Sequence, residues 1–310
     1  MTRETPLGPG VEFDVIRALL ERWGDRAVGV GDDAAIFSVP RGESVVTSVD
    51  ASVEGRHFRR GWLSPREIGY RAVTAAMSDL AAMAAQPIGA LVALALPDIW
   101  RGELGAIADG IADATAAAHT VIRGGNISAA NELSITTTVF GHAFTPLTRA
   151  GAKSGDRVYV TGRLGAPGAA LRLLESGGDP GAFRERLAHP AARLAEARWL
   201  SAHGASAAID ISDGLVADLR HLAAASRVSI AIDAARLACV DGVDAETALS
   251  SGEEYELVVT AGGPIDTAAF ASRFELPLTE LGSVGDGTKG MVTVQGARVA
   301  NVRGHDHLSR

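Results

Sequence analysis

Six aspartates stand at the ends of apolar or glycine-rich runs: Asp32 and Asp33 after VGVG, Asp50 after SVVTSV, Asp79 within AAMSDLAAM, and Asp210 with Asp213 in AIDISDG. Carboxylates are hard oxygen donors suited to Mg2+, which keeps several waters and takes one or two carboxylates per ion. A set of this size therefore implies more than one ion, held against a polyphosphate. Each position also has a structural alternative. Asp32 and Asp33 can form a turn, since aspartate accepts from its own downstream N–H groups. Asp50 ends a valine-rich strand, where a turn and a ligand-facing carboxylate are both at home. Asp79 is harder to explain as scaffold. It sits among Met77, Leu80 and Met83 in a helical stretch almost devoid of charge, and its burial would need a cation or hydrogen-bond donors. Ser212 or Asp213 can cap the helix that follows. The same helix N-terminus, with Asp210 at the end of the preceding strand, also makes an anion site with room for a metal.

Other groups carry less. His57 in EGRHF reads equally as a surface strand residue, and His305 with His307 are too few for a metal site. Arg149, ahead of AGAKSGD, is either a phosphate contact or a solvated connector residue. The single cysteine, Cys239 in LACV, excludes an intramolecular disulfide and a multi-cysteine zinc site, and reads as a small buried hydrophobe. Walker A, protein-kinase and G-x-S-x-G patterns are absent.

These carboxylates need elements to position them. With 310 residues, 47% of them hydrophobic, the chain can form two domains with separate cores. Helix is expected from about Phe13 to Trp23, followed by the turn VGVGDDAAIF and the strand SVVTSVD. Ser64, Pro65 and Glu67 supply a cap, a first-turn proline and a capping-box acid for a helix running toward Gln86-Pro87. Strand LVALALP, a helix from about Asp98 to Ala118 and strand LSITTTVF complete the first half. The polar connector around His142 to Asp156 marks a boundary, giving domains 1–145 and 146–310. The second half mixes strands VYVT, SAAIDI, YELVVT and GMVTV with helices near Ala169–Glu175, Ala191–His203 and LVADLRHLAAAS. The fold class is thus α/β, of the α+β type.

A net charge of −8 without a basic cluster lacks the footprint of a nucleic-acid binder. An acidic chain still binds polyphosphate when divalent cations lie between the two. Glycine, at 36 residues, suits phosphate-binding loops. Neither a membrane span nor a secretion signal is indicated, so the expected compartment is the cytoplasm.

The ordered set VGVGDDAAIF, TSVDASVEGRHF, SDLAAMAAQP, RGGN, TRAGAKSGDRVYVTG, IDISDGL and SGEEYEL resembles the thiamine-monophosphate kinase family, within the aminoimidazole-ribonucleotide-synthetase-like ATP-binding superfamily. The resemblance spans nearly the whole chain. It implies two α/β domains, the first pairing through its sheet with its twin in a homodimer and the second completing the active-site cleft. It implies transfer of the γ-phosphoryl of ATP to thiamine monophosphate, with several Mg2+ ions and no covalent phosphoenzyme. On this resemblance Asp33, Ser48, Asp50, Asp79, Asn126, Asp210 and Asp213 are the metal ligands. Gly125, Asn126, Arg149 and Ser212 contact ATP, while His57 and Glu253 face the thiamine phosphate.

The chain departs from the family pattern at four places. Asn126 stands where the glycine-rich loop usually has aspartate, and Val49 replaces the usual threonine next to Asp50. Glu254 replaces a shorter aspartate in SGEEYEL, and Val302 replaces an aromatic residue that would stack on the thiamine ring. Two other readings remain at this level: another ATP-dependent enzyme of the superfamily with a different small phosphate or amide substrate, and a nucleotide-binding regulator without turnover. Retention of so many carboxylates argues against the second. Cys239 occupies neither the N-terminal position of the reactive cysteine of selenophosphate-synthetase-like proteins nor the C-terminal one of hydrogenase-maturation relatives.

Overall fold

The computed structural model describes residues 10–31 and 33–297. Asp32, Val302, His305 and His307 lie outside the described residues. The chain forms two compact units: the described residues up to Leu80 with Ala85–Thr145, and Ala81–Ala84 with the described residues from Pro146 on.

The first unit is a four-stranded mixed sheet with helices on one face. Its elements are α1 (Val11–Trp23), β1 (Ser44–Val53), α2 (Pro65–Ala82), β2 (Gln86–Leu96), α3 (Leu104–Ala117), β3 (Ile122–Ala129) and β4 (Ser134–Ala143), in the sheet order β1-β4-β2-β3. The capping box of α2 forms as expected: Ser64 N–H donates to Glu67 Oε2 at 2.7 Å, and Glu67 N–H to Ser64 Oγ at 3.3 Å. Helix α2 stops at Ala82, and the strand after it starts at Gln86, ahead of the apolar run that marks it in the sequence. On β4, Ile135, Thr137 and Val139 are fully buried. The opposite face is more open, and on β1 it exposes Val45 and Val49.

RGGN, expected as a loop, instead forms the body of β3, parallel to β2. Glycine usually weakens a strand, but a Cβ at Gly125 would overlap the Val92 carbonyl, so close backbone approach requires it here.

The second unit contains β5 (Arg157–Thr161), α4 (Ala166–Glu175), α5 (Arg184–Ala188), α6 (Leu194–Ala202), β6 (Ala205–Asp210), α7 (Leu215–Ser226), β7 (Ser229–Asp233), α8 (Ala245–Ser250), β8 (Leu257–Ala261), α9 (Thr267–Phe274), β9 (Leu278–Gly285) and β10 (Val292–Gln295). The six strands form one mixed sheet in the order β10-β7-β9-β5-β8-β6. Its core joins Val158, Val160, Ile209 and Val258 of the sheet to Leu215, Leu219 and Leu222 of α7. Cys239 is partly buried against this core, in keeping with a packing role. Among the described residues no helix is long and apolar enough to cross a membrane.

Candidate active site

In the first unit, strand alternation puts Ser48 and Asp50 on one face of β1, two residues apart. Helix α2 meets that face through its last turn, where Ser48 Oγ donates to Asp79 Oδ2 at 2.5 Å. An aspartate near a helix C-terminus faces the negative end of the helix dipole, so its position here is set by its partners and not by helix stability. Asp50 Oδ1 accepts from the Ala51 N–H at 2.7 Å. Ser48, Asp50 and Asp79 are thus a cluster of hard oxygen donors.

Asn126 does not join them. Register runs across the sheet from Asp50 to Thr137 to Val92 to Gly125, and from Ala51 to Thr136 to Ala93 to Asn126. Asn126 therefore lies at the opposite edge from Asp50, three strand spacings or about 14 Å away, and on the other face. The VGVG segment before Asp33 is tethered at the β3 edge too, through the Val28 N–H to Ile122 carbonyl bond of 2.9 Å, and Asp33 is exposed. One subunit does not bring all the metal ligands implied by the resemblance to one place.

His57, read as a strand residue, sits in a tight turn after β1. Its backbone N–H donates to the Val53 carbonyl at 2.9 Å, and its Nδ1 accepts from the Val53 N–H at 3.1 Å. An accepting Nδ1 leaves the ring proton on Nε2, a donor suited to an anion.

In the second unit, β6 ends at Asp210 and α7 starts at Leu215, with Ser212, Asp213 and Gly214 between them. The cap of α7 is Gly214 and no side chain caps it, which corrects the expectation of a Ser212 or Asp213 cap. Asp218, from the first turn of the helix, reaches back instead: its Oδ2 accepts from the N–H groups of Ser212, Asp213 and Gly214, each at 3.1 Å. These bonds hold the loop from within, and the N–H groups of the first helical turn, expected to offer an anion site, are not among them. Burial, and then the charges of Asp210 and Asp213, push the Asp218 carboxyl up to about 8.

The segment SSGEEYEL braces this loop. Glu253 N–H donates to the Ser212 carbonyl at 2.8 Å, Tyr255 N–H to Ile211 at 2.9 Å, and Ile211 N–H to Glu256 at 2.8 Å. Gly252 is needed because a Cβ there would crowd the Ser212 carbonyl oxygen. Glu253 and Tyr255 both adopt left-handed backbone, φ 60° and 52°, each costing on the order of 1 to 2 kcal/mol. The residues between and after them anchor the strained segment. Glu254 Oε1 accepts from Gly165 N–H and Ser251 Oγ at 2.5 and 2.6 Å. Glu256 receives Arg193 at 2.8 and 2.5 Å, Arg186 at 2.8 Å and Thr161 Oγ1 at 2.7 Å. Burial works to raise the Glu256 carboxyl, yet Arg193 and Arg186 hold it below the usual range. Glu254 has no such bidentate partner, and burial pushes it up to about 7. Glu253 itself accepts from the Tyr255 hydroxyl at 2.8 Å.

Arg149 is exposed, and its carbonyl accepts from Ser226 Oγ at 2.6 Å. The connector that follows it is fixed by Asp156, whose Oδ2 accepts from Lys153 N–H at 3.0 Å and Ser206 Oγ at 2.6 Å.

The residues fit magnesium. Among the described residues no three His, Cys, Asp or Glu side chains converge as a metal cluster, but Mg2+ takes few carboxylates and fills its shell with hydroxyls and water. Ser48, Asp50 and Asp79 supply such a set. In the second unit the mutual repulsion of Asp210, Asp213 and Asp218 is the charge a divalent cation would relieve. Sequence reasoning missed Asp218, which holds the loop between β6 and α7. Asp218 was legible, because its spacing of three from Leu215 and four from Leu222 puts a carboxylate on the apolar face of α7.

Residues 31–143 match the N-terminal domain of the AIR synthase related proteins, and residues 153–295 the C-terminal domain. The chain is 33% identical to thiamine-monophosphate kinase of Bacillus subtilis strain 168, covering 96% of this chain and 99% of that protein. Among solved structures, the crystal structure of thiamine-monophosphate kinase from Stenotrophomonas maltophilia K279a is 33% identical, covers 94% of this chain and 97% of that one, and superposes with a TM-score of 0.81. AaThiL complexed with AMPPCP and TMP is 30% identical over 96% of both chains, with a TM-score of 0.77. Two α/β units, each matching one of these domains, thus define a protein of the AIR synthase related class. Within that class, the chain belongs to the thiamine-monophosphate kinase family.

Proposed function

We propose that this enzyme transfers the γ-phosphoryl group of ATP to thiamine monophosphate in a single in-line displacement. An oxygen of the thiamine phosphate attacks the γ-phosphorus, the bond from that phosphorus to the β–γ bridging oxygen breaks, and thiamine diphosphate and ADP leave. The observation that carries this reading is the likeness to AaThiL, solved with AMPPCP and TMP, over 96% of both chains.

Magnesium, when bound, would neutralise charge between two polyanions that otherwise repel. Ser48, Asp50 and Asp79 would hold it in the first unit, and Asp210 with Asp213 in the second; Asp33 and Asn126 are the remaining candidates. Ser48 orients the Asp79 carboxylate. Gly125, Asn126, Arg149 and Ser212 would contact ATP, and His57, through Nε2–H, and Glu253 would face the thiamine phosphate. The left-handed backbone at Glu253, braced by Glu254 and Glu256, fixes where its carboxylate points, so that little reorganisation accompanies transfer.

A homodimer formed through the open face of the first sheet is part of the reading. Exposed Val45 and Val49 supply apolar surface, and a second copy could bring a β3 edge, with Asn126, toward Asp50. The use of ATP accords with a cytoplasmic enzyme.

The test is ADP release with ATP, Mg2+ and thiamine monophosphate, with the product identified by mass. Thiamine diphosphate should appear, EDTA should stop it, and Asp79→Asn should abolish it while leaving the circular dichroism unchanged. ATP binding without diphosphate would overturn the substrate, and near-normal turnover by Asp79→Asn would overturn the metal site.

A further inference from the structure

Thr137 is fully buried on β4, and its Oγ1 has no hydrogen-bond partner among the described residues. Its neighbours on the same face, Ile135 and Val139, are apolar and equally buried. Valine has the same shape without the cost of an unsatisfied hydroxyl, so packing does not account for threonine here. Register does: Thr137 lies directly across from Asp50 on β1, and directly opposed residues of paired strands share one face. That face carries Ser48 and, through it, Asp79. The orphan hydroxyl thus stands beside the strand position where the first unit gathers hard oxygen donors.

We propose that Thr137 is a positioning residue whose hydroxyl holds a water of the cation bound at Asp50. This rests on the magnesium reading above. Mg2+ retains several waters, and groups that hold those waters or orient the ligands tune affinity without touching the ion. Thr137 meets the requirement from the strand next to Asp50, where the fixed β1–β4 register sets its distance. The hydroxyl finds no partner among the described residues, and the water of a bound cation would supply one.

The inference predicts effects of opposite sign for Thr137→Val. The metal-free variant should melt at a higher temperature than the unmodified chain, because a buried unpaired hydroxyl is gone. Its affinity for Mn2+, read from the free-ion paramagnetic resonance signal during titration without nucleotide, should fall by about 10- to 100-fold. Thr137→Ser, which keeps the hydroxyl, should retain most of the affinity. Should Thr137→Val not fold, Thr137→Ala gives the same affinity comparison. Unchanged Mn2+ affinity in a folded variant lacking the hydroxyl overturns the role of Thr137 and leaves the metal site standing. Failure of the unmodified chain to bind Mn2+ overturns the metal reading, and this inference with it.

Discussion

Two buried glutamates two residues apart, Glu254 and Glu256, meet opposite fates because their partners differ. Arg193 and Arg186 keep Glu256 ionised, whereas Glu254 accepts two hydrogen bonds and has only Arg186, at 3.9 Å, as a counter-charge. Burial raises the Glu254 carboxyl from an ordinary 4.5 to about 7. Between those values the folded chain keeps a proton that the unfolded chain has lost. Stability therefore falls as pH rises through that window and levels off above it, by roughly 3 kcal/mol for this group. Glu254→Gln removes the titration, so the stability difference between this variant and the unmodified metal-free chain should change between pH 5 and pH 7.5 in urea unfolding. A difference independent of pH would show that Glu254 ionises normally.

Among the elements, α2 links a structural end to a functional one. Its capping box binds the first-turn N–H groups, and its last turn presents Asp79 to β1. The ends are 15 residues apart, or about 22 Å along the axis. Ser64→Ala should cost about 1 kcal/mol of stability in chemical unfolding and leave cation affinity unchanged, since Asp79 is held by Ser48 and not by the cap. A parallel loss of affinity would mean that the helix moves as one piece when its first turn frays. Strand β3 works differently: Gly125 serves close approach to β2, and the same lack of a side chain opens the edge on which Asn126 lies.

For the whole molecule, the surface to test is the more open face of the first sheet, which Phe37 covers only in part by stacking on Phe140. Helices cover the other face, but Val45 and Val49 remain 57% and 63% exposed, an arrangement a second copy would relieve. Val45→Asp should halve the mass seen by light scattering and leave the subunit folded, because Val45 makes little use of its own core. An unmodified chain already at monomer mass would exclude this face as a dimer interface. Under the proposed metal site, the separation of Asn126 from Asp50 by the width of the sheet would give such an assembly a chemical purpose.

Asp50, expected to end its strand, lies inside β1, which runs on to Val53, but apolar periodicity and punctuation in the sequence were enough for the helices around Phe13–Trp23 and Leu215–Ser226 and the capping box at Ser64. These features depend on neighbours within a few residues, and their physics is local. The pairing of Ser48 with Asp79 joins a strand to a helix 31 residues away, and no spacing rule connects them. The return of Asp218 onto the Ser212 loop, the braced left-handed turn at Glu253 and the split fates of Glu254 and Glu256 likewise depend on which groups the fold buries side by side. Sequence determined which side chains could hold a cation or a phosphate. Only the tertiary structure decided which of them meet, because register and burial fix distances that composition leaves open.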